Sequence, residues 1–230
     1  MKKGGELMII AIDGPVGSGK TSLCTLLAQT YHGIAVRVDP DEQIAVKDKV
    51  LSDLVISTSR TRQDALWFFG SEDYNKDGIS PCMFALQLAR LKLIQSNKHI
   101  MSHDYIFVDA FWEGLWQMTE ENLPVYFDVL CKFVEPPDMS IFLKVSSQRS
   151  HDRRAGENQI TIEMSEDEHA AINESKNIFC GWSERHLANF HALDARVPIG
   201  EVFAAAQNIL GDPPSAPAEP EAENITLSWY

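Results

Sequence analysis

The residues with the clearest chemical signature lie near the amino terminus, at positions 14–21. They read GPVGSGKT and match the pattern G-x-x-x-x-G-K-[ST] at every defined position. In such a phosphate-binding loop, successive backbone N–H groups converge on an anion, and the following helix N-terminus adds partial positive charge. Lys20 is expected to reach the outer phosphates, and the Thr21 hydroxyl to bind Mg²⁺. The pattern therefore predicts a binding site for a nucleoside triphosphate.

The segments on either side of this loop are those that the motif requires. Residues 7–12 form a short apolar run typical of a buried strand, and apolar residues then recur at helical spacing until Gly33. With strand and helix both present, a chance glycine-rich turn is the weaker interpretation. The predicted nucleotide-binding residues are Gly14, Gly17, Ser18, Gly19, Lys20, Thr21 and Ser22.

Composition limits the classes of protein that this chain can belong to. Its 230 residues, 44% of them hydrophobic, are enough for one α/β core. A formal charge of −13 argues against nucleic acid or an anionic membrane as partner, since both call for a basic face. No apolar run approaches the length of a transmembrane helix. The four cysteines are widely spaced, which favours free thiols in a reducing compartment, and we expect a cytosolic protein.

Strand-like and helix-like segments alternate along the rest of the chain, which predicts a parallel sheet with helices on both faces. Further strands are predicted at 34–38, 105–109, 140–145 and 190–194. Helices are predicted near 43–54, 62–69, 82–95, 120–133 (broken at Pro124) and 200–210, and another helix follows the polar segment 158–168 and ends near residue 185. One domain should thus span residues 1–210. Residues 211–230 contain four prolines and three glutamates, which predicts a disordered acidic tail.

Two predicted strands are followed by acids at the edge where open α/β sheets bind ligands. Asp109 ends a strand that is predicted to be fully buried, a position from which an acid can hold Mg²⁺, often through water. Asp39 precedes Pro40 after the second strand. It could act on an acceptor, and an ordinary solvated turn explains it equally well.

Arginines supply the local positive charge that an anionic substrate needs in so acidic a chain. Arg149, Arg153 and Arg154, here called the lid arginines, follow the fourth strand. They suit a phosphoryl group in transfer, although a solvated helix face is the competing interpretation. Arg90 and Gln87 share one face of an apolar helix. A buried arginine needs an anionic partner, either a structural carboxylate or a substrate phosphate.

Aromatic residues near these positions are candidates for contact with a nucleobase. Trp67 and Phe68 belong to the densest aromatic cluster of the chain, where core packing is the alternative role. Phe111 follows Asp109 closely. We therefore include all three among the predicted substrate-binding residues.

Taken together, residues 7–210 resemble the nucleoside and nucleoside-monophosphate kinases, most of all thymidylate kinase, with the deoxynucleoside kinases next. The resemblance is carried by the phosphate-binding loop, Asp39-Pro40, Asp109, the strand at 137–145, the arginines of 149–157 and the segment Leu193-Asp194-Ala195. The sequence departs from thymidylate kinases at Ala110, where they have arginine. Residues 12–15 also resemble cytidylate kinase.

The resemblance implies a three-layer P-loop kinase fold with a five-stranded parallel sheet and an arginine-bearing lid, and a reaction that needs ATP and Mg²⁺. It implies that Lys20 and the lid arginines stabilise the transferred phosphoryl group. Thr21 and Asp109 would hold the metal, and Asp39 would orient or deprotonate the acceptor.

The acceptor implied is a small molecule, dTMP first, with its phosphate and base held by Arg90 and Gln87. Phosphorylation of a deoxynucleoside 5′-hydroxyl is the alternative, and a regulatory P-loop NTPase without a small-molecule acceptor is a further one. The same resemblance favours a homodimer.

Overall fold

The computed structural model describes residues 7–15, 17–36, 81–96, 104–113, 115, 119–146, 148–149 and 166–214. Its elements in chain order are β1 (Met8–Asp13), α1 (Lys20–Thr30), β2 (Ile34–Val36), α2 (Pro81–Ser96), β3 (Tyr105–Asp109), α3 (Leu123–Phe133), β4 (Met139–Lys144), α4 (Glu166–His186), β5 (Phe190–Asp194) and α5 (Ile199–Leu210). Within these ranges, no helix is long and apolar enough to cross a membrane.

The five strands form one parallel sheet in the order β2-β3-β1-β4-β5. The central strand β1 pairs with β3 through Ile12 and Asp109, and with β4 through Ile12 and Ile141. Because parallel strands end at the same edge, Asp13 and Asp109 are carried to one place. The predicted α/β fold with a five-stranded parallel sheet is confirmed.

Side-chain alternation along β1 divides the core between the two faces of the sheet. Ile9 and Ala11 pack against α2, α3 and α4, a side that we call the α2–α4 face. Ile10 and Ile12 pack against α1 and α5, on the α1–α5 face. Continuing the alternation, Asp13 points to the α2–α4 face. Asp109 follows Val108 of the α2–α4 cluster, so it points to the α1–α5 face.

Within the described residues, the predicted bounds agree with the structure to within one residue at each end, except at the starts of α3 and α4. Residues 37 and 38 of the predicted second strand lie outside the described part. The strands at 105–109 and 190–194 are found as predicted. A helix over 120–133 broken at Pro124 is wrong, because α3 begins at Leu123 and Pro124 lies in its first turn. Proline is tolerated there, since first-turn N–H groups have no intrahelical acceptor. The helices expected near 43–54 and 62–69, and the tail beyond 214, lie outside the described residues.

Gly33 connects α1 to β2 at a point where the backbone leaves no room for a side chain. A Cβ at Gly33 would lie 2.7 Å from the backbone oxygen of Tyr105, a contact that no side-chain rotation can relieve. We expect Gly33→Ala to lower the free energy of unfolding by about 1–3 kcal/mol, measured by denaturant titration. Gly181→Ala in α4 is the matched control, because nothing lies within 4 Å of its added Cβ. It should raise the free energy of unfolding by about 0.5–1 kcal/mol. Equal stability of the two variants would contradict the packing at Gly33.

Candidate functional site

The phosphate-binding loop has a backbone that depends on its glycines. Gly14, Gly17 and Gly19 have φ angles of 144°, 74° and 94°, all in a region that side-chain-bearing residues rarely adopt. Gly14 is also closely packed, since a Cβ there would lie 2.6 Å from the backbone oxygen of Leu143. The three glycines thus occupy backbone conformations that residues with side chains rarely adopt.

Helix α1 begins directly behind the loop, with Gly19 as its N-cap and no side-chain capping hydrogen bond. Its first-turn N–H groups, on Lys20, Thr21 and Ser22, have no acceptor within the helix and lie at the positive end of its dipole. The Lys20 ammonium donates a hydrogen bond to the Pro15 carbonyl oxygen at 2.9 Å, within the loop. The Ser18 hydroxyl is buried and makes no hydrogen bond among the described residues. These groups together form a site suited to phosphate oxygens.

The two predicted metal ligands, Thr21 of α1 and Asp109 of β3, are in contact. The Thr21 hydroxyl donates to Asp109 Oδ2 at 2.6 Å. Asp109 is 2% exposed, and its other oxygen, Oδ1, has no hydrogen-bond partner in the described part of the chain. A hydroxyl and a carboxylate with an unused oxygen are ligands of the kind that Mg²⁺ prefers. The pair therefore fits the ion, which would supply positive charge to bound phosphates.

Nothing in the described ranges assembles three or more acidic, histidine or cysteine side chains that could hold a metal ion by themselves.

Asp13 ends β1 immediately before the loop and is 2% exposed. The backbone N–H of Trp112 donates to its carboxylate, at 3.2 Å to Oδ1 and 3.4 Å to Oδ2. Burial raises the pKa of Asp13 to about 8, although Lys20 acts to lower it, and the charges of Asp109 and Glu113 raise it further. The ionised form of this buried carboxyl is therefore disfavoured relative to a carboxyl in water.

Gln87 and Arg90 reach the end of β3 from α2, and both are 2% exposed. The Gln87 amide donates to the carbonyl oxygens of Ala110 at 2.9 Å and Phe111 at 2.8 Å. Arg90 donates to the Asp109 carbonyl oxygen at 3.0 Å and to Gln87 Oε1 at 3.4 Å. The turn that they hold includes Ala110 at a φ of 54°. In this arrangement the two side chains position Asp109, and their contact with a substrate stays a prediction.

Of the other predicted site residues, the structure describes Phe111 and Arg149. Phe111 is 1% exposed and packs edge-on against Trp112 with ring centroids 4.9 Å apart, which is the packing of a core side chain. Arg149 lies exposed beyond β4, where its backbone N–H donates to the Ser146 hydroxyl at 3.4 Å. The remaining candidates, Asp39, Trp67, Phe68, Arg153 and Arg154, lie outside the described residues.

Sequence reasoning missed Lys176 of α4, which is 2% exposed. Burial lowers the pKa of Lys176 well below its usual value, and the charge of Lys20 lowers it further, while Glu113, Asp13 and Asp109 act in the opposite direction. A signal was present, because Lys176 lies one helical turn before Phe179 on a stripe that is otherwise suited to burial. Asp13 could similarly have been noted as the next inward position after Ala11 in an alternating strand.

No protein-family model matches this sequence, and no curated protein matches it at the sequence level. Solved structures do match. A structure of deoxyadenosine kinase from M. mycoides with the products dCMP and a flexible dCDP bound has a TM-score of 0.57 and 16% identity, covering 88% of this chain and 98% of that one. The same enzyme with bound dATP gives a TM-score of 0.54 and 17% identity, with the same coverage.

A gluconokinase from Sinorhizobium meliloti 1021 also matches, with a TM-score of 0.50 and 16% identity over 88% of this chain and 91% of that one. At these identities the likeness concerns the path of the backbone. In fold, this chain is therefore similar to these small-molecule kinases.

Proposed function

We propose that this protein is an ATP-dependent kinase that transfers a phosphoryl group to a small nucleoside or nucleotide. The observation that carries the proposal is the 2.6 Å hydrogen bond from the Thr21 hydroxyl to Asp109 beside a glycine loop of the phosphate-binding type. One edge of the sheet thus carries a loop suited to phosphates, the side chain of Lys20, and the Thr21–Asp109 pair, which is suited to Mg²⁺. The likeness in fold to known kinases supports the same assignment.

In the proposed reaction, the backbone N–H groups of the loop and Lys20 bind the β- and γ-phosphate oxygens. An acceptor oxygen forms a bond to the γ-phosphorus, while the bond from that phosphorus to the β,γ-bridging oxygen breaks and ADP leaves. For a hydroxyl acceptor, the proton passes to a carboxylate, for which Asp39 is the candidate from sequence. The lid arginines are candidates for stabilising the group in transfer.

The nature of the acceptor depends on how Arg90 is interpreted. The sequence-based preference for dTMP rested on the need of a buried arginine for an anion. In the structure, the Arg90 guanidinium donates to the Asp109 backbone carbonyl oxygen and to the side-chain Oε1 of Gln87, so it has protein acceptors without a substrate phosphate. This weakens the argument for a monophosphate. We therefore propose a deoxynucleoside hydroxyl as the first acceptor and dTMP as the second.

The proposal is tested by measuring kcat/KM with ATP and a panel of acceptors: deoxyadenosine, deoxycytidine, thymidine, dTMP and gluconate. We expect one deoxynucleoside to give the highest value. ATP hydrolysis without any acceptor should be slow by comparison. Hydrolysis that no acceptor stimulates would overturn the kinase assignment and favour a regulatory NTPase, and a highest value for dTMP would restore the monophosphate.

Arg90→Ala separates the two roles that Arg90 could have. Because Arg90 holds the end of β3, its removal should misplace Asp109 and lower kcat/KM about tenfold for every accepted substrate. Arg185→Ala is the matched control, because Arg185 is exposed and pairs with Glu120 at the surface. A loss confined to dTMP would contradict the positioning role and indicate direct contact of Arg90 with the acceptor phosphate.

A further inference from the structure

The chain turns sharply after β3, directly beyond the candidate metal ligand Asp109. The first residue of the turn 110–113 is Ala110, which has a φ of 54° and is 6% exposed. Residues with a Cβ rarely adopt this left-handed conformation, and they keep it where surrounding contacts enforce it. The contacts that hold this turn therefore also determine where the end of β3 and Asp109 lie.

Two hydrogen bonds fasten the turn to the end of β1. The Ala110 backbone N–H donates to the Ile12 carbonyl oxygen at 2.9 Å, one step beyond the Ile12–Asp109 pair of the β1–β3 ladder. Two residues further, the Trp112 backbone N–H donates to the Asp13 carboxylate, at 3.2 Å to Oδ1 and 3.4 Å to Oδ2. A side chain of β1 thus continues the connection to the turn at the point where the phosphate-binding loop begins.

Asp13 lies between the loop and the turn. It immediately precedes Gly14, whose backbone is closely packed against Leu143. Its side chain points to the α2–α4 face, whereas Asp109 points to the α1–α5 face, where it contacts Thr21. Asp13 therefore holds the turn from the side opposite to the Thr21–Asp109 pair. This position lets it fix the turn without being a ligand of the ion.

The partner of Asp13 is itself fixed by its side chain. The Trp112 ring is 1% exposed, and its indole N–H donates to the Ser140 hydroxyl of β4 at 3.0 Å. The ring also packs against Phe111 and Phe179, with centroids 4.9 Å and 6.3 Å apart. Because the ring is held by the core, the hydrogen bond to Asp13 joins the start of the loop to a fixed point.

We propose that Asp13 is a positioning residue of the candidate metal site. By accepting the Trp112 N–H, it fixes the turn that follows Asp109 and so keeps Asp109 at the place beside the phosphate-binding loop that Mg²⁺ and a nucleotide require. This inference rests on the proposed kinase function. Asp13 forms no covalent bond in the reaction and needs no contact with a substrate. Groups that orient a metal ligand typically change metal affinity or activity by about 10–100-fold when they are removed.

The test compares two substitutions of similar size, Asp13→Asn and Asp13→Leu. Asparagine keeps an oxygen that accepts the Trp112 N–H, and leucine has no acceptor. Because burial raises the pKa of Asp13 and disfavours its charged form, losing the charge alone should have a small effect. For Asp13→Leu we expect the Mg²⁺ concentration for half-maximal activity to rise about tenfold. Asp13→Asn should stay close to wild type. Wild-type Mg²⁺ dependence in Asp13→Leu, or an equal rise in both variants, would overturn the proposal.

Ser140→Ala is the matched control, because it removes the other hydrogen bond of Trp112, the one from its indole N–H. It should lower the melting temperature and leave the Mg²⁺ dependence near that of wild type. An equal rise in the Mg²⁺ requirement of Ser140→Ala would mean that any loosening of Trp112 has this effect, and the specific role of Asp13 would be rejected. If Asp13→Leu does not fold, Asp13→Ala also lacks the acceptor and takes its place, with the same expected result.

A second readout does not depend on turnover. ADP should raise the melting temperature of wild type more in Mg²⁺ than in EDTA, because the ion then links the nucleotide to Asp109 in the folded state. Asp13→Leu should keep the rise seen in EDTA and lose most of the Mg²⁺-dependent part, which Asp13→Asn should retain. Persistence of that part in Asp13→Leu, or its absence in wild type, would contradict the inference. If the melting results are as expected and wild type phosphorylates no acceptor, the proposed function is rejected and the positioning role of Asp13 stands.

Discussion

Replacing Lys20 with alanine is expected to lower kcat for phosphoryl transfer by about a hundredfold to a thousandfold. Lys20 is the one cationic side chain within positions 14–21, and α1 begins at this residue. A charge that is already in place as negative charge develops on the γ-phosphoryl group acts mainly on the transition state. The effect should therefore appear in kcat at saturating ATP and acceptor.

The fold should survive the substitution, because Lys20 is half-buried and its ammonium bonds to the Pro15 carbonyl within the same loop. The melting temperature of Lys20→Ala without nucleotide should stay close to that of wild type. Lys132→Ala, at an exposed position of α3, controls for loss of a lysine elsewhere and should leave kcat unchanged. A kcat for Lys20→Ala within a few-fold of wild type would remove the loop from the proposed mechanism.

Replacing Asp109 with asparagine is expected to lower kcat/KM by about a hundredfold and to raise the Mg²⁺ concentration needed for half-maximal activity. Asparagine keeps the size of the side chain and can still accept the hydrogen bond from Thr21. It lacks the negative charge that a divalent cation requires. The measurement is the rate as a function of Mg²⁺ at fixed total ATP.

Two comparisons make this prediction specific to the Thr21–Asp109 pair. Asp128→Asn, at an exposed position of α3, should leave the Mg²⁺ dependence unchanged. Thr21→Ser keeps the hydroxyl that donates to Asp109, so it should retain far more activity than Thr21→Val. If Asp109→Asn shows the wild-type Mg²⁺ dependence, Asp109 does not belong to the metal site.

Much of the fold could be predicted from the sequence because it depends on local patterns. An apolar run of strand length followed by a helical period is visible within a few residues, and strands β3 and β5 have the bounds that these patterns indicate. The helix start near Pro124 could not be obtained in this way. Whether a proline interrupts a helix or lies in its first turn depends on which residue begins the hydrogen-bonded ladder, and here that residue is Leu123.

The phosphate-binding loop could be predicted for the same reason, because its motif consists of consecutive residues. Three of them, Gly14, Gly17 and Gly19, have positive φ angles. The role of Arg90 is different. The apolar helix around Arg90 indicated that its side chain would be buried. The sequence did not indicate its hydrogen-bond partners. They are the Asp109 carbonyl oxygen and the Gln87 amide, and a backbone carbonyl has no signature in the sequence.

The sequence by itself determined the loop, the alternation of strands and helices, and the acid that ends β3. Only the tertiary structure decided which of these groups meet. Thr21 contacts Asp109 because β1 and β3 are neighbours in the sheet, and α2 brings Gln87 and Arg90 to the end of β3. The physical reason is that a local pattern specifies the period and the inward face of an element. The packing of distant elements specifies which inward-facing charges share a site.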